Sequence, residues 1–434
     1  MTTIDVDVAV IGGGPAGAAA AREAARAGAA VALVDADGAG GRAARATALP
    51  LRAMSAAADR GAKDWPALRA EVEERARAWT ERARLGLDDA GVEVLEGRAR
   101  FVSPNALALD DGRRIAFERA VIAAGARPAA LPGAEPDGAR LLVPDQLASL
   151  PALPAEAMVI GGGAAGAEIV DVLSRLGTRV TWITDELGIL PRFDRELARV
   201  LADVLAERGV KLVHGQRALE LGVGAAGATA KLDGGRTYAA PVAIVAAGST
   251  PSTSGLGLGA LGLNEGSRIA VDAFCRTEVP HVFAAGDVTG LSHDVASAEA
   301  MGRAAGRGAA GEPVAFMAEH APRVVHTRPE IAQVGLGAEA LRGREVVLYT
   351  LRLEETLGGH LAHIGESPSK RGFVRLVCDS ESDRLLGASA LGPGAADAIG
   401  AVAIALTLGA TSADLARASA AVPSALDAVI RSVR

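Results

Sequence analysis

Asp7-Val8-Ala9-Val10-Ile11-Gly12-Gly13-Gly14-Pro15-Ala16-Gly17 opens the first organised stretch of the chain, and Val31-Ala32-Leu33-Val34-Asp35 follows it. The first five residues read as a short apolar strand. A Gly-x-Gly-x-x-Gly loop comes next, then an alanine-rich helix to about Ala27, then a strand that ends on an acid. Gly12 permits the tight turn, Gly14 lets the backbone approach a pyrophosphate, and Gly17 lets helix and strand pack closely. N–H groups at the helix start are donors for the phosphates, and Asp35 can accept from a ribose hydroxyl. In a chain with 53 glycines the loop alone would say little. The strand, helix and acid in their order make it a dinucleotide-binding fold.

The pattern recurs. Ala157-Met158-Val159-Ile160 reads as a strand, Gly161-Gly162-Gly163-Ala164-Ala165-Gly166 as its loop, and a helix runs to about Leu176. The strand Arg179-Val180-Thr181-Trp182-Ile183 follows. Two such units imply two dinucleotides.

Composition bounds the rest. The 434 residues suggest two to four domains. At 50% hydrophobic and 22% charged the chain reads as a soluble globular protein, and with 3% aromatics its core must be mostly Ala, Val and Leu. A net charge of −7 without a basic run argues against nucleic acid as a partner. The apolar stretches are broken by charge or glycine, so no membrane span is expected. The first strand begins close to Met1, which leaves no room for a signal peptide, and a cytoplasmic location is expected. The two cysteines, Cys275 and Cys378, read as reduced, buried, structural thiols.

Four further stretches carry a family resemblance. Gly40-Gly41-Arg42-Ala43-Ala44-Arg45-Ala46-Thr47-Ala48-Leu49-Pro50-Leu51-Arg52 is one, and Ile122-Ala123-Ala124-Gly125-Ala126-Arg127-Pro128 another. The others are Thr277-Glu278-Val279-Pro280-His281-Val282-Phe283-Ala284-Ala285-Gly286-Asp287 and Ala321 to Gly335. With the two glycine loops they make the chain resemble the FAD-containing pyridine nucleotide–disulfide oxidoreductases, over essentially its whole length. The resemblance implies an α/β fold with two Rossmann-like domains and a C-terminal α+β dimerisation domain. The FAD domain would span 1–145 and 248–318, the NAD(P) domain 146–247 and the interface domain 319–434, in a homodimer. The FAD contacts implied are Gly12, Gly14, Pro15, Ala16, Gly17, Asp35, Gly41, Arg42, Ala99, Ala124, Gly125, Gly286 and Asp287, the last accepting from the ribityl chain. Those for NAD(P)H are Gly161, Gly163, Gly166, Thr184, Asp185 and Gly248.

The departures matter as much. The family carries Gly-Gly-Thr-Cys-x-x-x-x-Cys where this chain has Ala43 and Ala48, and a methyl group forms no thiolate and no mixed disulfide. Val422 stands where relatives place the histidine that serves those thiols, and it moves no proton. Asp427 replaces the glutamate that would orient the histidine. Arg52 takes the place of a lysine that pairs with Glu168 beside the flavin; the pair either tunes the flavin by its charge or is structural. Ala164 and Ala165 replace bulkier residues and open the nicotinamide side. The run Gly248-Ser249-Thr250-Pro251-Ser252 lacks the family's arginine, Ala124 replaces a threonine, and the stretch between Arg60 and Lys63 reads as shortened. Thr184-Asp185-Glu186 favours NADH over NADPH, because acids disfavour a 2′-phosphate.

Arg42, Arg45 and Thr47 are candidates for a substrate site, where arginines could hold an anion; the alternative is solvated arginines. His293 and His326 are possible acid–base groups, with structural roles as the alternative. The expectation is an FAD flavoprotein that passes hydride from NAD(P)H through the flavin to a small non-disulfide acceptor, such as a quinone, another nicotinamide, oxygen or an unsaturated metabolite. The alternatives are an FAD dehydrogenase or oxidase whose substrate fills the Ala164/Ala165 pocket, and a non-catalytic flavin-binding dimer.

Overall fold

The computed structural model describes residues 3–129, 131–133, 135–225, 227–291, 293–337, 343–362, 364 and 371–433. Backbone packing divides it into two compact units. One is Met1–Met54, Pro66–Ala129 and Gly248–Ala318; the other is Ser55–Trp65, Ala130–Ala247 and Glu319–Arg434.

The first unit opens with β1 (Thr3–Ile11), α1 (Pro15–Arg26), β2 (Val31–Asp35), the short α2 (Gly41–Arg45), α3 (Ala48–Asp59), α4 (Trp65–Asp88) and β3 (Glu93–Glu96). β1 and β2 are parallel, with Ile11 beside Val34, and β3 follows with Glu96 beside Asp35. Val8, Ala9, Val10, Ala32 and Leu33 are wholly buried, as strands covered on both faces require. The antiparallel strands β4 (Ala99–Ser103) and β5 (Ala106–Leu109) lead to β6 (Arg114–Ile122), which lies parallel to β1 with Ile122 beside Ile11. The order β3-β2-β1-β6 puts a switch of direction at β1, where such sheets bind ligands beyond their strand ends. β7 (Ala126–Pro128) carries the chain out of this unit.

The second unit repeats the scheme. β8 (Leu141–Leu142), β9 (Glu156–Ile160), α5 (Ala164–Leu176), β10 (Arg179–Ile183), α6 (Arg195–Glu207) and β11 (Lys211–Val213) come first. An antiparallel trio follows, β12 (Ala218–Gly224), β13 (Gly227–Leu232) and β14 (Thr237–Ala240), and then β15 (Val242–Val245). The parallel sheet has the order β11-β10-β9-β15-β8, with Ile160 beside Ile183.

The chain returns to the first unit through β16 (Ser249–Pro251), which pairs antiparallel with β7. β17 (Val282–Ala284) then joins β6 in parallel, Ala284 beside Ile122, as the sequence leads one to expect. α7 (Val295–Ala309) closes on α1 through small residues. A Cβ on Gly302 would stand 2.1 Å from the Ala16 carbonyl oxygen, and one on Gly306 2.2 Å from that of Ala20. Close backbone approach here makes up for scarce aromatics, since packing density sets the dispersion gain.

The C-terminal part folds β18 (Arg323–Val325), β19 (Ile331–Gly335), β20 (Val346–Arg352), β21 (Phe373–Asp379) and β22 (Leu385–Leu391) into one sheet of order β18-β19-β22-β21-β20. α8 (Leu357–Leu361) precedes β21. α9 (Ala395–Thr407), α10 (Ser412–Arg417) and α11 (Ala425–Ser432) follow, and Ile399, Val402 and Val429 bury against the sheet. The expected strands and the helices from Ala395 and Ser412 appear within a residue of their expected bounds. α11 was not expected; its signal is Ser424, whose hydroxyl accepts from Asp427 N as an N-cap. Among the described residues no helix is long and apolar enough to cross a membrane.

Candidate functional site

At the C-terminal end of β1, Gly12 takes φ +108°, and a Cβ there would lie 2.3 Å from the Ala123 carbonyl oxygen. A Cβ on Gly17 would lie 1.8 Å from the Gly12 carbonyl oxygen. These two glycines are demanded by the protein's own packing. Gly14 differs: its Cβ would meet nothing nearer than Gly41 Cα at 3.8 Å. Gly14 is the N-cap of α1, with no side-chain cap and no acid in the first turn. The helices α6 and α7, by contrast, are capped by the Asp194 and Asp294 carboxylates. α1 therefore offers unpaired backbone donors and a positive dipole end where only a glycine leaves room, which fits a pyrophosphate.

Asp35 closes β2 beside this loop. Its Oδ2 accepts from Gly13 N at 2.6 Å and its Oδ1 from Asp37 N at 2.8 Å. Gly40 N donates to Gly13 O at 2.7 Å, which holds the start of α2 against the loop. Arg45 Nη1 donates to the carbonyls of Gly38 and Ala39, and its Nη2 lies 3.8 Å from Asp35 and 3.7 Å from Asp37. Arg45 thus sits at the acid end of β2. Arg42 Nη1 donates to the Ala126 carbonyl at the start of β7, and Thr47 Oγ1 points back to Arg42 O at 3.3 Å. Ala99 begins β4, two residues past Gly97, whose N donates to Asp35 O at 3.1 Å. Gly125 O accepts from Ser252 N beside the β7–β16 pair, and Gly248 O accepts from Ala129 N. A Cβ on Gly286 would stand 2.9 Å from Ala16 Cβ, so Gly286 and Asp287 lie beside the start of α1.

The second loop has the same division of labour. Cβ atoms on Gly161 and Gly166 would lie 2.2 Å from Ala246 O and 2.1 Å from Gly161 O, while one on Gly163 would meet nothing within 4 Å. Gly163 caps α5 with no side-chain bond, and Ala164 and Ala165 follow as its first residues, half-buried and exposed. The matched registers, Ile11 beside Val34 and Ile160 beside Ile183, make Thr184 the counterpart of Asp35. Thr184 is buried, and its Oγ1 lies 3.2 Å from His214 Nδ1. Asp185 Oδ1 accepts from Leu187 N within its own turn, and Glu186 is exposed.

Glu168 and Asp171 lie on one face of α5, both buried. Glu168 Oε1 accepts from His326 N at 2.9 Å. The His326 ring meets Glu330 Oε1 at 3.0 Å, and Glu330 Oε2 accepts from Ala396 N at the start of α9. Burial by itself would raise the Glu330 carboxyl; the bonds from His326 and Ala396 and the Arg328 charge outweigh it and hold the group below its ordinary value. Asp171 accepts from Arg175, Arg208 and Arg328 N. The sequence reading missed Asp171 and Glu330; the signal for the first was its spacing of three from Glu168 on a helix. His293 is exposed and lies on the loop before α7.

Ala43 lies within α2 and Ala48 begins α3, the helix that carries Arg52. Arg52 Nη1 donates to Ala48 O at 3.4 Å. Val422 stands exposed before α11, and Asp427 is engaged by Arg431 at 2.7 Å. The chain's two cysteines lie elsewhere, in β21 and in the turn before β17, and neither is solvent-accessible. Burial, with Asp272 near one and Asp383 near the other, pushes both thiols up to about 12.

Residues 6–305 match the family described as pyridine nucleotide-disulphide oxidoreductase, and residues 321–432 match its dimerisation domain. The chain is 32% identical to an NAD(P)H dehydrogenase (quinone) of Mycobacterium tuberculosis, over 98% of this chain and 93% of that protein. It is 34% identical to dihydrolipoyl dehydrogenase 2 of Haloarcula marismortui, over 95% and 93%. The crystal structure of LpdA from Mycobacterium tuberculosis superposes with a TM-score of 0.92 at 31% identity, covering 100% of this chain and 99% of that one.

Proposed function

The chain belongs to the pyridine nucleotide-disulphide oxidoreductase family, and we propose that it is an FAD-dependent NAD(P)H oxidoreductase whose acceptor is a small molecule other than a disulfide. A quinone is the acceptor class we favour, after the name of the Mycobacterium tuberculosis relative. FAD bound at the first loop supplies the hydride chemistry that links the nicotinamide to the acceptor.

The residues supply position and charge. Gly14 and the uncapped start of α1 hold the FAD pyrophosphate, with Pro15 and Ala16 in its first turn. Asp35 accepts from the adenosine ribose, and Asp287 from the ribityl hydroxyls. Gly41, Arg42, Ala99, Ala124 and Gly125 complete the FAD cradle. Gly163, Gly166 and the start of α5 hold the nicotinamide dinucleotide, with Gly161 making the turn and Thr184 and Asp185 around it. Arg52 and Glu168 are the charged residues we assign to tuning the flavin, and an arginine charge there favours its reduced, anionic form. Arg45, held at Asp35, supports the adenosine end, which leaves Arg42 and Thr47 to the substrate side. The C-terminal domain joins two copies, with Ile404 of α9 and Leu408 just past its end as exposed apolar contacts.

The state of the sulfur carries this reading. A disulfide reductase relays electrons through thiolates, and here the chain's thiols are inaccessible and held up at about 12. Ala43 and Ala48 contribute methyl groups alone. Steady-state assays of the FAD-loaded protein with a soluble quinone and with lipoamide test the proposal. Quinone turnover without lipoamide turnover supports it, and lipoamide turnover above quinone turnover overturns it.

A further inference from the structure

Matched registers allow the two glycine-loop folds to be compared residue by residue. In the first, the Asp35 carboxylate follows β2 and accepts from Gly13 N at 2.6 Å. A carboxylate there accepts from a ribose diol and repels a 2′-phosphate. In the second fold no carboxylate takes that place. A Cβ on Gly162, the counterpart of Gly13, would lie 3.3 Å from the Thr184 methyl, and Leu190 N donates to Gly162 O at 2.7 Å. Thr184 N donates to Val213 O and its carbonyl accepts from Gln216 N, so β10 and the end of β11 are stitched together there. His214, the residue after β11, brings its Nδ1 to 3.2 Å from Thr184 Oγ1. When the threonine hydroxyl donates to Nδ1, the proton of the ring sits on Nε2 at the far edge of an exposed imidazole. The nearby acids lie elsewhere in the turn: Asp185 is one residue past the counterpart of Asp35, its Oδ1 accepting from Leu187 N, and Glu186 is exposed, where water and salt screen its charge.

We propose that Thr184 and His214 select the nucleotide: the hydroxyl–imidazole pair that replaces an Asp35-type carboxylate lets the second fold bind NADPH at least as tightly as NADH, with His214 Nε2 donating to the 2′-phosphate. This rests on the NAD(P)H reading above, and it reverses the preference for NADH expected from Asp185 and Glu186.

Isothermal titration of the FAD-loaded protein with NADH, NADPH, 5′-ADP and 2′,5′-ADP tests it by binding alone. The wild type should bind NADPH no more weakly than NADH, and 2′,5′-ADP more tightly than 5′-ADP. His214→Ala, a surface change, should weaken NADPH by about tenfold, the loss of one charge-assisted bond, and leave NADH within about threefold. Thr184→Asp should do the same by repulsion, provided the buried site accepts it; His214→Ala does not depend on that. NADH binding with NADPH more than about tenfold weaker in the wild type overturns the inference alone, and so does equal weakening of both nucleotides by His214→Ala. Binding of neither nucleotide overturns the parent reading together with this one.

Discussion

Asp171 is wholly buried and takes a hydrogen bond from Arg175 Nε at 2.9 Å. Its other oxygen accepts from Arg208 at 2.7 Å and from Arg328 N at 3.0 Å. Arg175 also donates to Ser55 Oγ and Asp59, and Arg328 donates to Asp59. One carboxylate thus ties together α5, α6, the end of α3 and the loop before β19. Asp171→Ala leaves two guanidinium groups without their buried partner, and breaking such a pair costs about 3–5 kcal/mol. The urea midpoint should fall accordingly, and a midpoint equal to wild type would contradict the assignment.

The two glycine classes of the first loop should separate in mutants. Gly17→Ala places a methyl 1.8 Å from Gly12 O, so the protein should fail to fold or purify without flavin. Gly14→Ala leaves the methyl in ordinary contact, 3.8 Å from Gly41 Cα, so the fold should persist while FAD affinity drops. Circular dichroism together with flavin content at 450 nm, about the usual flavin band, distinguishes these outcomes. Equal loss of structure in both variants would contradict the split.

The sulfur assignment has a pH signature. Each thiol is raised from an ordinary 9.0 to about 12. A group raised on folding gives its full stabilisation below the unfolded value, and loses it as pH rises through the folded one. Stability should therefore fall between about pH 9 and 12 in part because of Cys275 and Cys378. The double replacement by alanine should flatten that fall. An iodoacetamide reaction with the native protein at pH 8 should proceed far more slowly than with the unfolded chain, and comparable rates would refute the burial argument.

Much of this was legible in the sequence because its signals are local. Strand, glycine loop, helix and acid lie within 35 residues of the start, and the turn at Gly12 forces its own register. The strand from Phe373 shows through its Val, Leu and Cys, bounded by turn residues. What stayed hidden is non-local. Arg45 reads as solvated or anion-binding from its place in the loop, and only the path of 38–39 shows its carbonyl partners and Asp35. Thr184 reads as one of three residues near a ribose. Its pairing with His214 needs β10 beside β11, a contact between residues 30 apart.

The exposed face of α9 should be covered in solution. Ile404 is 65% exposed and Leu408 79% exposed, on the domain that matches the family's dimerisation domain. Leu408→Asp places a charge in that apolar contact and should shift sedimentation from dimer to monomer at micromolar concentration. An unchanged dimer would move the interface away from α9.

Electrons should leave this protein by a route that involves no thiol. The most direct measurement is an anaerobic one. FAD-loaded protein is bleached with a stoichiometric amount of NADH or NADPH, and then mixed with a quinone or with lipoamide while the flavin band is followed. The quinone should restore the band and lipoamide should leave it bleached, in the wild type and in the Cys275→Ala/Cys378→Ala variant alike. Prompt reoxidation by lipoamide, or a quinone reaction lost with the two cysteines, would contradict it.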